Sequence, residues 1–174
     1  IGVETTEALV NSGCRVTLVE MLPQILRMLD WEVARLVEQH MEAHGVKVMT
    51  KTQVTAFEGK DRVSGVVTTR GRIPADMVIL AIGVRPNVDL ARAAELTIGP
   101  TGGIQVDDTM RTSDPDIYAA GDCVETTDLI TGKPCFVPLG STANKQGRVA
   151  AINVCGGMDR FPGVLGSTVC KVFD

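Results

Sequence analysis

The chain has 174 residues, 44% of them hydrophobic but only 3% aromatic, and a formal net charge of −4. That suffices for one domain or parts of two, built on an aliphatic core. Its lysines and arginines are scattered, which excludes the concentrated positive charge of a nucleic-acid footprint. No apolar run approaches the roughly 20 residues of a membrane-spanning helix.

In chain order, residues 3–12 read as a helix with Leu9 and Val10 on its apolar side and Gly13 as its stop. Residues 15–20 read as a short buried strand, Val16-Thr17-Leu18-Val19, ending in Glu20. Pro23 begins a loop. Asp30 is placed to cap a helix through about His44, with Val33, Leu36, Val37 and Met41 predicted on one face and Gly45 closing it. Val46, Val48 and Thr50 suggest a strand. Val54–Phe57, Val63–Thr68 and Arg72–Pro74 then look like an antiparallel meander, with turns at Gly59-Lys60-Asp61 and at Gly71.

Met77-Val78-Ile79-Leu80-Ala81 reads as a fully apolar strand ended by Gly83-Val84-Arg85-Pro86-Asn87, and Leu90–Leu96 as a short helix. Composition shifts after Gly99-Pro100-Thr101-Gly102-Gly103. Ile104–Val106 is a predicted strand, and Ile117-Tyr118-Ala119-Ala120 a buried one opening onto Gly121-Asp122. After Pro138-Leu139-Gly140, Ser141 or Thr142 is expected to cap a helix through about Asn153, stopped by Gly156-Gly157. Val169 to Phe173 is a further extended segment.

The opening Ile1-Gly2-Val3-Glu4 has the form of the end of a dinucleotide-binding fingerprint. In that fingerprint three glycines lie between a strand and a helix whose N-terminus faces phosphate. Only Gly2 is present, as the third, packing glycine. Glu20 follows it by 18 residues, close to the spacing of about 20 at which a carboxylate accepts the adenosine ribose hydroxyls. Such a carboxylate repels a 2′-phosphate and favours NAD(H), although it is equally the first exposed residue after a strand. Glu4 lies where a helix dipole favours negative charge. Asp122 is at a strand end suited to sugar or ribityl hydroxyls, or to a plain loop cap.

The cysteines, Cys14, Cys123, Cys135, Cys155 and Cys170, are odd in number and form no CxxC. They read as reduced, mostly buried thiols of a cytoplasmic protein. With only two histidines, His40 and His44, no metal site is expected.

Together these segments resemble the pyridine nucleotide–disulfide oxidoreductase superfamily, over essentially the whole chain. Ile1–Glu4 with Val16–Glu20 matches its NAD fingerprint, and Ile79–Gly83 with Arg85-Pro86-Asn87 matches the segment closing its NAD domain. Thr112-Ser113-Asp114-Pro115-Asp116-Ile117-Tyr118-Ala119-Ala120-Gly121-Asp122 matches its second FAD motif. Within the superfamily the chain is most similar to the coenzyme A-disulfide reductase and NADH oxidase branch.

The resemblance implies an α/β fold: a Rossmann-like NAD(H)-binding domain over 1–99 with an inserted β-meander and without its first strand. The closing segment of an FAD-binding domain would follow over 100–160, and the start of a C-terminal interface domain over 161–174. It implies Gly2 at the pyrophosphate turn, Glu20 at the ribose, Glu4 toward the nicotinamide and Gly83 passing close to NADH. Gly121 and Asp122 would serve the FAD ribityl or pyrophosphate region. Pro138, Leu139 and the helix from Ser141 would meet the isoalloxazine ring. Lys145, Gln146 and Arg148 are left facing solvent or a CoA-like substrate.

By the same resemblance the parent enzyme passes hydride from NADH through FAD to a small-molecule disulfide or persulfide, or to dioxygen, and is a homodimer. The family's first FAD-binding unit and redox cysteine are not matched, so no catalytic residue is assigned here, and this fragment alone is expected to be inactive. Two other readings stand beside this one: a non-catalytic dinucleotide-binding or structural fragment, and a ferredoxin-reductase-type electron-transfer protein.

Overall fold

The computed structural model describes residues 1–174, which divide into two compact units: Ile1–Ile82 with Val169–Asp174, and Gly83–Thr168. The first unit opens with α1 (Gly2–Asn11), followed by β1 (Thr17–Val19), α2 (Trp31–Ala43) and β2 (Lys47–Met49). β1 and β2 pair in parallel with Leu18 opposite Val48. The ladder reaches the predicted site through the Glu20 N–H, which donates to the Met49 carbonyl at 2.9 Å. Both helices end as their glycines predict. Gly13 and Gly45 take positive φ, and the next amides, of Cys14 and Val46, return to Leu9 and Met41. That pattern satisfies carbonyls that the last helical turn leaves unpaired.

The core of this unit gathers Val3, Ile25, Met41, Val46 and Phe173. The face of α2 differs from the predicted one: Ala34, Glu38 and Met41 are buried, while Val33 and Leu36 are exposed. The reason is a polar anchor among the apolar residues. Glu38 accepts from Arg35 Nη1 at 2.7 Å and from the Ile25 N–H at 3.3 Å. The carboxylate thereby fixes the loop after β1 against α2 and sets the helix rotation.

The expected meander is present as β3 (Val54–Glu58), β4 (Gly65–Thr68) and β5 (Gly71–Pro74), antiparallel in that order. Gly71 belongs to β5, opposite Thr68, and the turn is made by Thr69 and Arg70. Residues 77–81 do not form the expected buried strand. They join no ladder, and Met77, Ile79 and Leu80 are exposed. An apolar run becomes a strand only where a neighbour takes up its amides and carbonyls, and none does so here.

The second unit contains α3 (Asp89–Ala93), a small hairpin of β6 (Thr126–Thr127) and β7 (Pro134–Cys135), and α4 (Gly140–Val154). Val88 and Ala91 pack with Ile104 and Val124. Residues 83–99 thus belong to the second compact unit, which begins at Gly83. The predicted strands 104–106 and 117–120 reduce to isolated bridges, Ile98–Ile104, Ile104–Val124 and Arg111–Tyr118, and residues 117–120 are only partly buried. Their backbone groups make scattered bonds to separate segments: the Ile117 N–H closes a tight turn to Asp114, while the Ala119 N–H reaches Met110 and the Ile104 N–H reaches Cys123.

α4 begins two or three residues earlier than the expected cap at Ser141 or Thr142 implies. Leu139 is its N-cap, with no side-chain cap bond from Ser141, Thr142 or any other residue. No helix is long and apolar enough to cross a membrane. All five cysteines are free; Cys14, Cys155 and Cys170 are exposed, and Cys123 and Cys135 are partly buried. This corrects the expectation of mostly buried thiols.

Candidate functional site

The predicted site residues fall into two groups, one in each unit. In the first, Gly2 starts α1, and a Cβ built on it would lie 3.1 Å from the Ala81 Cβ. The close approach suits a glycine whose role is packing. Glu4 lies in the first turn of α1, exposed. Glu20 follows β1 directly. Its Oε1 accepts the Leu22 N–H at 2.8 Å, and its own carbonyl receives the Thr52 N–H at 3.0 Å. One carboxylate oxygen is therefore held by the backbone, which orients the other. At the end of a parallel strand this leaves one carboxylate oxygen free to accept a further hydrogen bond.

In the second unit, Gly83 has φ +90, and a Cβ placed on it would meet nothing within 4 Å. It is an open backbone surface that an L side chain would both strain and cover. Gly121, at φ +86, turns the chain beside α4, and a Cβ there would lie 3.5 Å from the Ala143 Cβ. The Gly121 N–H donates to Gln146 Oε1 at 2.9 Å. Gln146 is 1% exposed, so it does not face solvent with its neighbours Lys145 and Arg148, which are exposed. It is the structural link between the Gly121-Asp122 turn and the first turns of α4.

Sequence reasoning missed that role because a glutamine between a lysine and a glycine carries no burial signal. Its position four residues after Thr142, also buried, was the available clue. Asp122 is exposed. Pro138, Leu139 and Ser141 stand at the start of α4, where the helix's first amides have no side-chain cap. Such amides are donors available to an anionic or carbonyl-rich group.

A second missed residue is Glu125, 6% exposed. It accepts both the Thr101 N–H at 2.9 Å and the Thr101 hydroxyl at 2.7 Å, closing the Gly-rich turn 99–103 over the core. The two partly buried thiols are not activated. Burial pushes the Cys123 thiol up, with the Asp122 charge adding to it. Burial also raises Cys135, helped by Asp128 and Glu125. A thiol held in its protonated form is a poor nucleophile.

With this arrangement in view, its relatives are clear. Residues 1–148 match the model of the pyridine nucleotide-disulphide oxidoreductase family, and the chain belongs to that family. It is 46% identical, over its whole length, to a protein of Pyrococcus abyssi named NAD(P)H sulfur oxidoreductase (CoA-dependent). It is 43% identical, again over its whole length, to an NADH oxidase of Methanocaldococcus jannaschii. In each case it spans 39% of the relative. Among solved structures, an NAD-dependent persulfide reductase from A. fulgidus superposes with a TM-score of 0.93 at 49% identity, covering all of this chain and 33% of that one.

Proposed function

We propose that the protein to which this chain belongs is an FAD-dependent oxidoreductase that uses NADH to reduce a sulfur–sulfur bond of a small molecule, of the coenzyme A disulfide or persulfide kind, with dioxygen as the competing acceptor. The chain would supply most of a Rossmann-like NAD(H)-binding domain, with the β3–β5 meander inserted, and the closing segment of the FAD-binding domain. The observation that carries the flavin reading is the Gly121-Asp122 turn, clamped by the buried Gln146 to the uncapped start of α4.

The residues present fit both groups. Glu20, with one oxygen held by the Leu22 amide, would accept the adenosine ribose hydroxyls. Gly2 would keep α1 close to its sheet, and Glu4 would lie toward the nicotinamide. Gly83 would give NADH a side-chain-free backbone. Gly121 and Asp122 would hold the flavin's polyol and pyrophosphate region. The free amides after Leu139, with Pro138 and Ser141 beside them, would meet the ring edge, where donors stabilise negative charge. FAD, when bound, supplies the hydride-accepting chemistry; the protein supplies position and electrostatics.

The sulfur acceptor is favoured by the names of the Pyrococcus and A. fulgidus relatives. The redox thiol for that chemistry would come from outside residues 1–174. Burial raises the Cys123 and Cys135 thiols, which disfavours the thiolate that such chemistry needs. For the 174-residue chain taken alone, this same observation favours a non-catalytic dinucleotide-binding role.

The test uses the whole protein, purified and examined anaerobically. A flavin spectrum that bleaches on NADH addition, with faster turnover on coenzyme A disulfide or persulfide than on dioxygen, is the expected result. A colourless protein, or a flavin that NADH leaves oxidised, refutes the proposal. Faster turnover on dioxygen would reassign the acceptor alone.

A further inference from the structure

His40 and His44 lie one turn apart on α2, at the spacing that puts two side chains on one helix face. The chain's last segment returns to that face. Phe173 is 6% exposed within the core around Met41 and Val46. Its N–H donates to Glu7 Oε2 at 2.7 Å, and its ring stacks on His44 at a centroid distance of 4.4 Å. Packing of Phe173 thereby fixes Asp174 beside the two imidazoles. Asp174 Oδ1 is 3.1 Å from His40 Nε2 and 3.4 Å from His44 Nε2.

The protonation of His44 follows from its other nitrogen. Nδ1 lies 2.9 Å from the His40 carbonyl, which can only accept, so Nδ1 carries the hydrogen. In the neutral ring Nε2 then directs a lone pair at a carboxylate oxygen. Two acceptors facing each other need a cation between them. A proton would make a charge-assisted hydrogen bond, whose usual N–O distance of about 2.7–2.9 Å is shorter than either separation here.

A transition-metal ion accounts for the 3.4 Å His44 separation better, while the 3.1 Å His40 contact is also within the reach of an ordinary N–H···O bond. With metal–nitrogen and metal–oxygen bonds of about 2.0–2.2 Å, neighbouring ligand atoms of a tetrahedral ion lie about 3.3–3.5 Å apart. All three ligand atoms fall within 4.8 Å of one another, and the partly exposed His40 ring can swing inward to complete the third edge. The Nδ1–H of His44 bonded to a backbone carbonyl is also the outer contact that metal-binding histidines commonly make.

We propose that His40, His44 and Asp174 form a binding site for a divalent transition-metal ion of the zinc, cobalt or nickel type, with a fourth position left to solvent. Two imidazoles and one carboxylate select these ions over magnesium or calcium, which prefer all-oxygen shells. The ion would tie the segment carrying Phe173 to α2. The site's ligands include none of the residues assigned above to NADH or FAD, and the site was invisible in the sequence because its third ligand is 130 residues from His44.

The test titrates the purified chain with Co(II) at about pH 7.5, where an ordinary imidazole is neutral, and reads the visible d–d absorption. One equivalent should bind without the intense near-ultraviolet thiolate band that coordination by cysteine would produce, and Zn(II) should displace it. His44→Gln, His40→Gln and Asp174→Asn should each weaken binding at least about tenfold. The asparagine variant changes one exposed group to a near-isostere, so folding does not confound it. Absence of saturable binding, a thiolate spectrum, or affinity indifferent to all three substitutions would overturn the site.

Discussion

Replacing Gln146 with Met tests the clamp between the Gly121 turn and α4. The two side chains are similar in volume, so the substitution leaves little cavity. What it removes is the acceptor for the Gly121 N–H, a 2.9 Å bond to a residue that is 1% exposed. A buried amide left without a partner costs about 1–3 kcal/mol; the apolar gain from burying methionine offsets part of this, which leaves about 1–2 kcal/mol. With a urea m-value of about 2 kcal/mol/M, the middle of the usual range, the unfolding midpoint should fall by about 0.5–1 M. The more specific readout is amide hydrogen exchange. Gly121 should be protected in the wild type and lose that protection in Gln146→Met, while amides in the β3–β5 meander keep theirs. In the whole protein the same substitution should speed flavin loss. An unchanged Gly121 exchange rate together with an unchanged midpoint would refute the assignment of Gln146 as the element that holds the turn.

Two glycines should respond to alanine for opposite reasons. Gly121→Ala is strained by its φ of +86 and not by the ordinary 3.5 Å contact with Ala143; it should cost about 1–2 kcal/mol, and Ala143→Gly should not rescue it in a thermal melt. Gly2→Ala is a purely steric change, 3.1 Å from the Ala81 Cβ, so adding Ala81→Gly should restore whatever stability it loses. Glu20→Arg in the whole protein should shift preference from NADH toward NADPH, read as the ratio of the two kcat/KM values; an unchanged ratio would remove Glu20 from the ribose. Alkylation followed by mass spectrometry should label the exposed Cys14, Cys155 and Cys170 before Cys123 and Cys135, whose thiols burial raises. Burial also pushes the Asp107 carboxyl upward, but bonds from the Thr109 hydroxyl and from the Arg111 and Thr109 amides outweigh it and hold the group below the ordinary carboxylate range. A carboxyl depressed in the folded state stabilises above its unfolded pKa and loses that contribution as pH falls through the folded one. The stability gap between wild type and Asp107→Asn should therefore be full at neutral pH and close in strong acid, as urea titrations across pH would show.

What could be read in the sequence was local. The helix ends at Gly13, Gly45 and Gly156 follow from a residue that tolerates positive φ next to a run of helix formers, and all three appear with positive φ. The β3–β5 meander follows from alternating strand residues between turns. What could not be read depends on partners distant in the chain. Residues 77–81 have the composition of a central strand, yet a strand is a relation between two segments and this one has no ladder. Leu36 looked like core, but the rotation of α2 is set by Glu38 reaching the Ile25 amide, a contact that no hydrophobic pattern contains. Gln146 and Glu125 are polar residues whose burial becomes explicable only once their acceptors are seen to meet the Gly121 and Thr101 amides.

The same distinction orders the candidate sites. Glu20 and Gly121 lie where a strand or a turn ends, positions that local sequence can mark. The His40–His44–Asp174 cluster is assembled by the return of Phe173 to the core around Met41, so it depends on tertiary packing. This gives the two kinds of site different sensitivities. Loosening Phe173, for instance by Phe173→Ala, should abolish Co(II) binding by releasing Asp174 from α2, yet leave the Gly121 amide as protected as before, since its acceptor Gln146 and its contact Ala143 both lie in the unit spanning Gly83–Thr168.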